Sequence, residues 1–502
     1  MQQARLAFGP FVFNGPAGIL KRDDTPVAIG FRALNLLQIL LQRPGEIRTK
    51  SELLDAVWPG LVVEEGNLTV QMAQLRKILG EAPDGSPWIT TVPRVGYRFS
   101  GAVQRLADAP GTSPALPEQP SIAVLPFVNL GGDPQQAIFA DGLTEDLTTE
   151  LSRVGGLFVI ARTSAFAYKG KAMDVRTIAR ELGVRYLLEG SARRADARVR
   201  INAQLVDAST GEHLWAERFE SRMEDLFDLQ DQVTGQIVQA LLGHLRTPLP
   251  RNRPKSLEAY ELCVRARQLM DDSPLAAREA HLMLSRAITL DPQYAEARRW
   301  LAMNHWMGWI HSGGPTPLER ETALAEAREA VAIDPNDAGC RWSLAYLLTY
   351  ERQYAEADAQ FRRAIELDPN DADAWTALSD VTVLAGRIDE GLEHIRRAFR
   401  LNPFPAGWYY LTLGQAQYAA GDYPGAIQTL RRDETYRSSS RRFLAASLAQ
   451  SGRLDEARAE TELFLVTNPK FTIRHWVATE PLRDAAVREH FVEGFRKAGL
   501  PE

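Results

Sequence analysis

Two periods of hydrophobic residues alternate along the chain, and the points where the period changes mark its elements. Residues 6–13 alternate closely enough for a strand, and residues 18–22 and 26–29 offer two shorter ones. Residues 31–41 are strongly apolar and predict a helix packed at the centre of the first domain. Thr49-Lys50-Ser51-Glu52 is a capping box that opens a helix over 51–58, and Pro59-Gly60 stops it. In the next helix, near 65–80, Leu68, Met72, Leu75 and Leu79 fall within about 60° on a helical wheel and predict a buried stripe. The other side carries Val70, Ala73, Gln74 and Lys77, slim and free of acids, which suits a DNA major groove. Residues 88–92 and 96–100 then alternate around Pro93-Arg94-Val95, a hairpin with a cation near its tip. The same pattern also describes an ordinary amphipathic helix beside a hairpin.

Residues 107–120 (ADAPGTSPALPEQP) have no hydrophobic period and read as a flexible tether. Beyond them the order is βαβαβββα: strands at 122–127, 157–161, 184–193, 199–207 and 212–220, with helices near 134–153, 174–182 and 223–245. Asp133-Pro134 supplies a cap and first-turn proline for the first of these helices. This is a mixed sheet covered by helices. From 254 onward helical patterns repeat. AITLDP, AVAIDP, AIELDP and AFRLNP place prolines at 292, 335, 369 and 403, so the last two intervals are 34 residues. The first interval is lengthened by a loop at 311–316. About six helix pairs are expected to 469, with 470–502 as a helical cap.

Composition narrows the function. The formal net charge is −6, so any nucleic-acid contact must come from a local patch. Residues 1–100 hold 11 Lys/Arg against 9 Asp/Glu, a net of +2, which permits DNA binding without demanding it. Cys263 and Cys340 sit among apolar neighbours and read as buried free thiols, fitting a reducing cytoplasm. No signal sequence and no run of 18 apolar residues is present, so a cytoplasmic protein without a membrane partner is expected.

Taken together, the strands, the capped helix, LTVQMAQLRKILG and ITTVPRVGYRF resemble the OmpR/PhoB-type winged-helix DNA-binding domain over almost all of residues 1–100. The resemblance implies that Thr69, Val70, Gln71 and Gln74 face base edges of double-stranded DNA. It also implies that Arg76 and Lys77 hold phosphates, and that Arg94 at the wing tip enters a minor groove. Two departures stand out: Pro93 occupies the place after the wing's TV where the family often has arginine, and Ala73 and Gln74 replace frequent basic residues. Single-domain affinity is therefore expected to be modest, with a homodimer or tandem sites raising it. Many relatives carry a preceding phosphorylated receiver; here the winged helix begins the sequence, so control through the later domains is expected instead.

IAVLPFVNLGG, FADGLTEDL and the stretch from VRYLLEGSARR to INAQLVDASTGEHLWAERFE resemble a domain related to the N-terminal part of TolB, which implies no set chemistry. The 34-residue period resembles tetratricopeptide repeats, which stack into a solenoid whose concave face takes a protein, a peptide or another copy. Trp300, Trp306 and Trp309 are either core between repeats or a peptide anchor. Gly131-Gly132 could receive a phosphate at a helix start, and Asp141, Glu145 and Asp146 could be imagined on a metal, though acids early in a helix usually serve its dipole. His213 lies in a strand away from any ligand cluster. No catalytic, metal or cofactor residues are assigned.

The expected fold is multidomain α+β: a winged helix at 1–103, a linker at 104–120, an α/β module at 121–247, a tetratricopeptide solenoid at 254–469 and a cap at 470–502. The expected function is transcriptional regulation through specific DNA binding, with the module and array receiving a protein or ligand signal. The alternatives are a repeat scaffold whose winged helix docks protein, and a nucleotide-processing enzyme at 121–247.

Overall fold

The computed structural model describes residues 5–14, 19–22, 25–26, 31–57, 65–80, 82, 85–93, 95–106, 119–131, 134–171, 173–195, 198–242, 252–270, 274–312, 317–432, 435 and 437–502. Two compact units result, Met1–Ser113 and Pro114–Glu502.

In the first unit β1 (Arg5–Phe8), β2 (Phe11–Asn14), β3 (Ile19–Arg22) and β4 (Thr25–Pro26) precede α1 (Phe31–Gln42). Then come β5 (Ile47–Thr49), α2 (Lys50–Val57), α3 (Glu65–Leu79), β6 (Ile89–Val92), β7 (Gly96–Phe99) and β8 (Gln104–Leu106). One sheet runs β4-β3-β2-β1-β8 and another β5-β7-β6. Residues 6–13 are thus not one strand. Gly9, at φ +51°, reverses the chain so that Leu6 pairs with Phe13 and both segments share a sheet. Residues 104–106, expected within the linker, form a strand instead: Gln104–Leu106 pairs with Arg5–Ala7, while 107–118 lie outside the described residues. Alternation fixed by this pairing buries Phe8, Phe11 and Phe13 against Leu36, Leu37, Leu40 and Leu41 of α1. Trp88 joins the two sheets, its ring edge-on to Phe8 at 5.3 Å and stacked on Phe99 at 6.0 Å.

The second unit begins with β9 (Ser121–Val124), β10 (Val128–Asn129), α4 (Pro134–Ser152), β11 (Phe158–Val159), α5 (Arg162–Phe166) and α6 (Val175–Leu182). Next are β12 (Tyr186–Ala195), β13 (Arg198–Asp207), β14 (Glu212–Arg222) and α7 (Leu226–Leu242). The sheet order β11-β9-β12-β13-β14 is parallel across its first three strands and antiparallel across the rest, the mixed sheet expected. Both faces of β9 are buried: Ile122 and Val124 pack with α4 and α7, Ala123 and Leu125 with α6. That explains the unbroken apolar run IAVL, which a half-exposed strand would not tolerate.

Among the described residues six helix pairs follow: α8 (Leu257–Leu269) with α9 (Pro274–Leu290), α10 (Ala295–Ser312) with α11 (Pro317–Ile333), and α12 (Ala338–Tyr350) with α13 (Tyr354–Leu367). The others are α14 (Ala372–Leu384) with α15 (Ile388–Leu401), α16 (Gly407–Ala419) with α17 (Tyr423–Leu430), and α18 (Arg437–Gln450) with α19 (Leu454–Thr467). Two helices close the array, α20 (Ile473–Thr479) and α21 (Ala485–Lys497). His311 and Ser312, expected in a loop, extend α10 instead.

The Asp or Asn before each repeated proline has a double task. Asp291, Asp334 and Asp368 each accept from the amide two residues on, closing their own turn, at 3.2, 3.0 and 2.9 Å. The second oxygen of each accepts a further bond from outside its own helix pair's turn: from the amide of Lys255 at 2.6 Å, the amide of Asn252 at 2.7 Å and the hydroxyl of Ser152 at 2.5 Å. Asn402 continues the series by accepting from Ser164 at 2.6 Å. Asp291 and Asp334 thus hold the segment that leads into α8, while Asp368 and Asn402 fasten the module to two consecutive turns of the array. The side-chain amide of Asn370 adds bonds to the carbonyls of Ser152 and Leu157, and the amide of Ala161 donates to Leu401 at 2.8 Å.

Candidate nucleic-acid interface

The helix α3 is anchored by one stripe. Leu68, Met72, Leu75 and Leu79 are each no more than 1% exposed and pack into the core of the first unit, as their spacing predicts. Gly80 ends the helix with φ +66° and donates its amide to Arg76 at 2.9 Å. Opposite the stripe Thr69, Val70, Ala73 and Lys77 are exposed, and Gln71 is half-buried. Val70 stands out at 57% exposure, a branched apolar side chain presented to solvent. The side chain of Gln74, like the whole of Arg94, lies outside the described residues.

Arg76 occupies a place that spacing alone did not reveal. Its Nε donates to the carbonyl of Ile89 at 3.1 Å, its Nη2 to the Thr91 hydroxyl at 2.7 Å, and its guanidinium lies 5.6 Å from the Tyr97 ring centroid. It ties the last turn of α3 to the hairpin β6–β7. Tyr97 is buried, as a core residue should be. Gly96 lets β7 approach β5: a Cβ there would lie 1.9 Å from the Arg48 carbonyl oxygen. The capping box is formed as expected, with the Thr49 amide donating to Glu52 at 2.8 Å and the Glu52 amide to Thr49 Oγ1 at 3.2 Å. The Thr49 backbone N–H holds the Glu52 carboxyl below its usual range. The wing thus rests on two supports, Arg76 on one strand and the start of α2, whose Lys50 amide donates to Val95 at 3.1 Å, near its tip.

The acids of α4 do not converge. Asp141 pairs with Lys169 at 2.6 Å, Glu145 pairs with Arg162 at 3.3 Å and with Arg267, and Asp146 accepts from Tyr260 at 2.6 Å and Gln230 at 2.9 Å. Among the described residues no group of three or more His, Cys, Asp or Glu is placed to hold a metal ion, and no helix is long and apolar enough to cross a membrane. Gly132 and Asp133 lie outside the described residues. Cys263 and Cys340 are buried thiols outside any disulfide, and burial pushes the Cys340 thiol well up. Trp300 sits 4.4 Å from the Arg299 guanidinium, and Trp306 stands edge-on to Tyr346 at 4.9 Å; the side chain of Trp309 lies outside the described residues.

Three family models match the chain. "Transcriptional regulatory protein, C terminal" covers residues 24–99, "HilA/YgeH-like transcriptional regulator, second domain" covers 118–236, and "Tetratricopeptide repeat" covers 338–371. A protein of Rhizobium meliloti named putative adenylate cyclase 3 is 48% identical over 251 residues, 49% of this chain and 43% of its own length. The Escherichia coli transcriptional activator CadC is 28% identical over 24% of each chain. The Salmonella typhimurium transcriptional regulator HilA is 34% identical over 24% of this chain and 21% of its own length. The chain thus spans less than half the length of each of these relatives. The chain combines a winged-helix domain of the OmpR/PhoB type, a HilA-like regulator domain and a tetratricopeptide repeat.

Proposed function

We propose that the protein is a transcriptional regulator that binds double-stranded DNA sequence-specifically, and that its α/β module and repeat array receive a protein or ligand signal. The observation that carries this reading is the division of α3. Its whole apolar stripe is committed to the core, yet the opposite face keeps an exposed valine, small residues and a lysine within a match to transcriptional regulatory proteins. In this reading Val70 meets a thymine methyl, while Thr69, Gln71 and Gln74 address base edges. Lys77 holds a phosphate, and Arg94 enters the minor groove. Arg76 braces the wing, so the phosphate contact at this end of the helix falls to Lys77. The setting is cytoplasmic, and a homodimer would add the affinity that one domain lacks. Binding rather than catalysis is the proposed mode of action, because the acids of α4 are each engaged by a neighbouring side chain.

Genome-wide mapping of bound DNA yields the operator, and anisotropy titrations on it separate the roles. Val70→Ala is expected to lose about 1 kcal/mol of preference at one base pair and little elsewhere. Lys77→Ala should weaken every sequence alike and reduce the salt slope by about one. A scaffold that docks protein through this helix would instead show no salt-dependent DNA affinity, and that result would end the proposal.

A further inference from the structure

The first helices of the array line a cavity of about 750 Å³. All six first helices of the pairs line it, from Arg267 of α8 to Arg442 of α18. The module lines one part with Ser152, Arg153 and residues 159–163, and the C-terminal cap another with Trp476 and Glu480. Such a chamber has the size of a small-molecule site.

Its polar groups are unevenly satisfied. Acceptors are supplied: Asp380 takes bonds from Tyr346 at 2.7 Å and Gln415 at 2.8 Å, and Asp373 takes one from Tyr409 at 2.6 Å. Donors are not. The indole N–H of Trp342, a side chain only 4% exposed, and the N–H groups at Arg153 Nη1 and Arg442 Nε have no hydrogen-bond partner among the described residues. Buried donors left in this state cost stability unless something brings an acceptor. The lining also holds eight carboxylates and six Lys/Arg, so neither a strongly anionic nor a strongly cationic guest is favoured. Between these groups stand aromatic rings that line the cavity, Trp306, Tyr346 and Tyr350, packed edge-to-face on one another at 4.9–5.7 Å. A ring face carries negative charge density and attracts polarised C–H groups.

We propose that this chamber binds a small neutral saccharide, whose ring oxygens and hydroxyls accept from Trp342, Arg153 and Arg442 while its C–H faces lie on the aromatic rings. Hydroxyls both give and accept, so they also satisfy the lining carboxylates. The proposal rests on the reading that the array receives the signal, and it names the class of that signal.

Full-length protein is titrated by calorimetry and tryptophan fluorescence with glucose, N-acetylglucosamine, cellobiose, maltotriose and N,N′-diacetylchitobiose. ATP and trilysine serve as anionic and cationic comparisons. At least one saccharide should bind saturably and change the emission. Trp342→Phe, which keeps an aromatic side chain, though a smaller one, and removes the donor, should weaken it roughly tenfold. Arg153→Lys, on the module side, should weaken it independently should the first variant melt early. Three results overturn the proposal: no saccharide binds, only ATP or trilysine binds, or both variants keep full affinity. DNA binding is measured on the same samples. Saccharide binding without any change in DNA affinity upholds the site and removes the signalling role, whereas intact DNA binding with no saccharide removes the site alone.

Discussion

α3 and α12 are helices of similar length that use their surfaces in opposite ways. α3 buries one stripe of four residues and leaves the rest of its described face open. α12 is buried on every side, from Ala338 to Tyr350, with Arg341 alone half-exposed. The difference follows from neighbours. α3 lies on a core that reaches it from one direction, whereas α12 is surrounded by α10, α11, α13 and α14. A helix with a single stripe can change its outer residues freely, which suits reading something outside the molecule. A helix buried all round has no face for bulk solvent, and what α12 leaves uncovered, at Trp342, Tyr346 and Tyr350, lines the cavity of the array instead.

The sharpest way to break this contrast is to hollow the stripe. Leu75→Ala should cost about 2–5 kcal/mol and unfold the first unit at lower temperature. DNA binding should fall with it, while the melting transition of residues 114–502 stays in place because the two units have separate cores. A joint shift of both transitions would show that the contrast between them is misplaced. Asp368→Ala tests the other side with a smaller effect, about 1–3 kcal/mol, since it strips a buried acceptor from the Ser152 hydroxyl and the Asn370 amide. Faster hydrogen exchange near Ser152 and Leu157, with α3 unaffected, is the expected readout.

The gentlest test uses pH. Burial pushes the Glu480 carboxyl from its ordinary 4.5 up to about 7, with Arg442 opposing. Asp380 facing the same space is raised by the same cause. The folded protein thus holds a proton that the unfolded chain releases, so stability of the second unit should fall as pH climbs from about 4.5 to about 7 and level off above. Glu480→Gln should make that slope shallower without abolishing it, because burial also pushes Asp368 up to about 6 and Asp371 up to about 7; melting temperatures across the range read the change. An unchanged slope would assign it to other groups.

Much of the fold was legible because local chemistry and tertiary need agree. The capping box at Thr49 and Glu52, the stripe of α3, the IAVL strand and the 34-residue period each impose a pattern that one packing satisfies. Residues 6–13 were not legible as a hairpin, because alternation continues on both sides of Gly9 and only the pairing partner reveals the turn. Arg76 shows the limit for the candidate site. Its sequence position points to the end of the reading helix, but its length lets it turn back onto Ile89 and Thr91, a contact set by the distant wing. The chamber was invisible for the same reason: Trp342, Arg153 and Arg442 come from three separate parts of the chain.

The ladder of turn residues has a mechanical consequence. A solenoid of stacked pairs is a spring, since small rotations between neighbours add along its length. Here Asn336, Asp368 with Asn370, and Leu401 with Asn402 each hold a point of the module, through Arg153, Ser152 and the segment at Ala161 and Ser164. Three successive coils are splinted to one rigid bar. Changing the pitch would break these bonds in order, so this part of the spring cannot flex in small steps; it must let go of the bar or move with it as one piece.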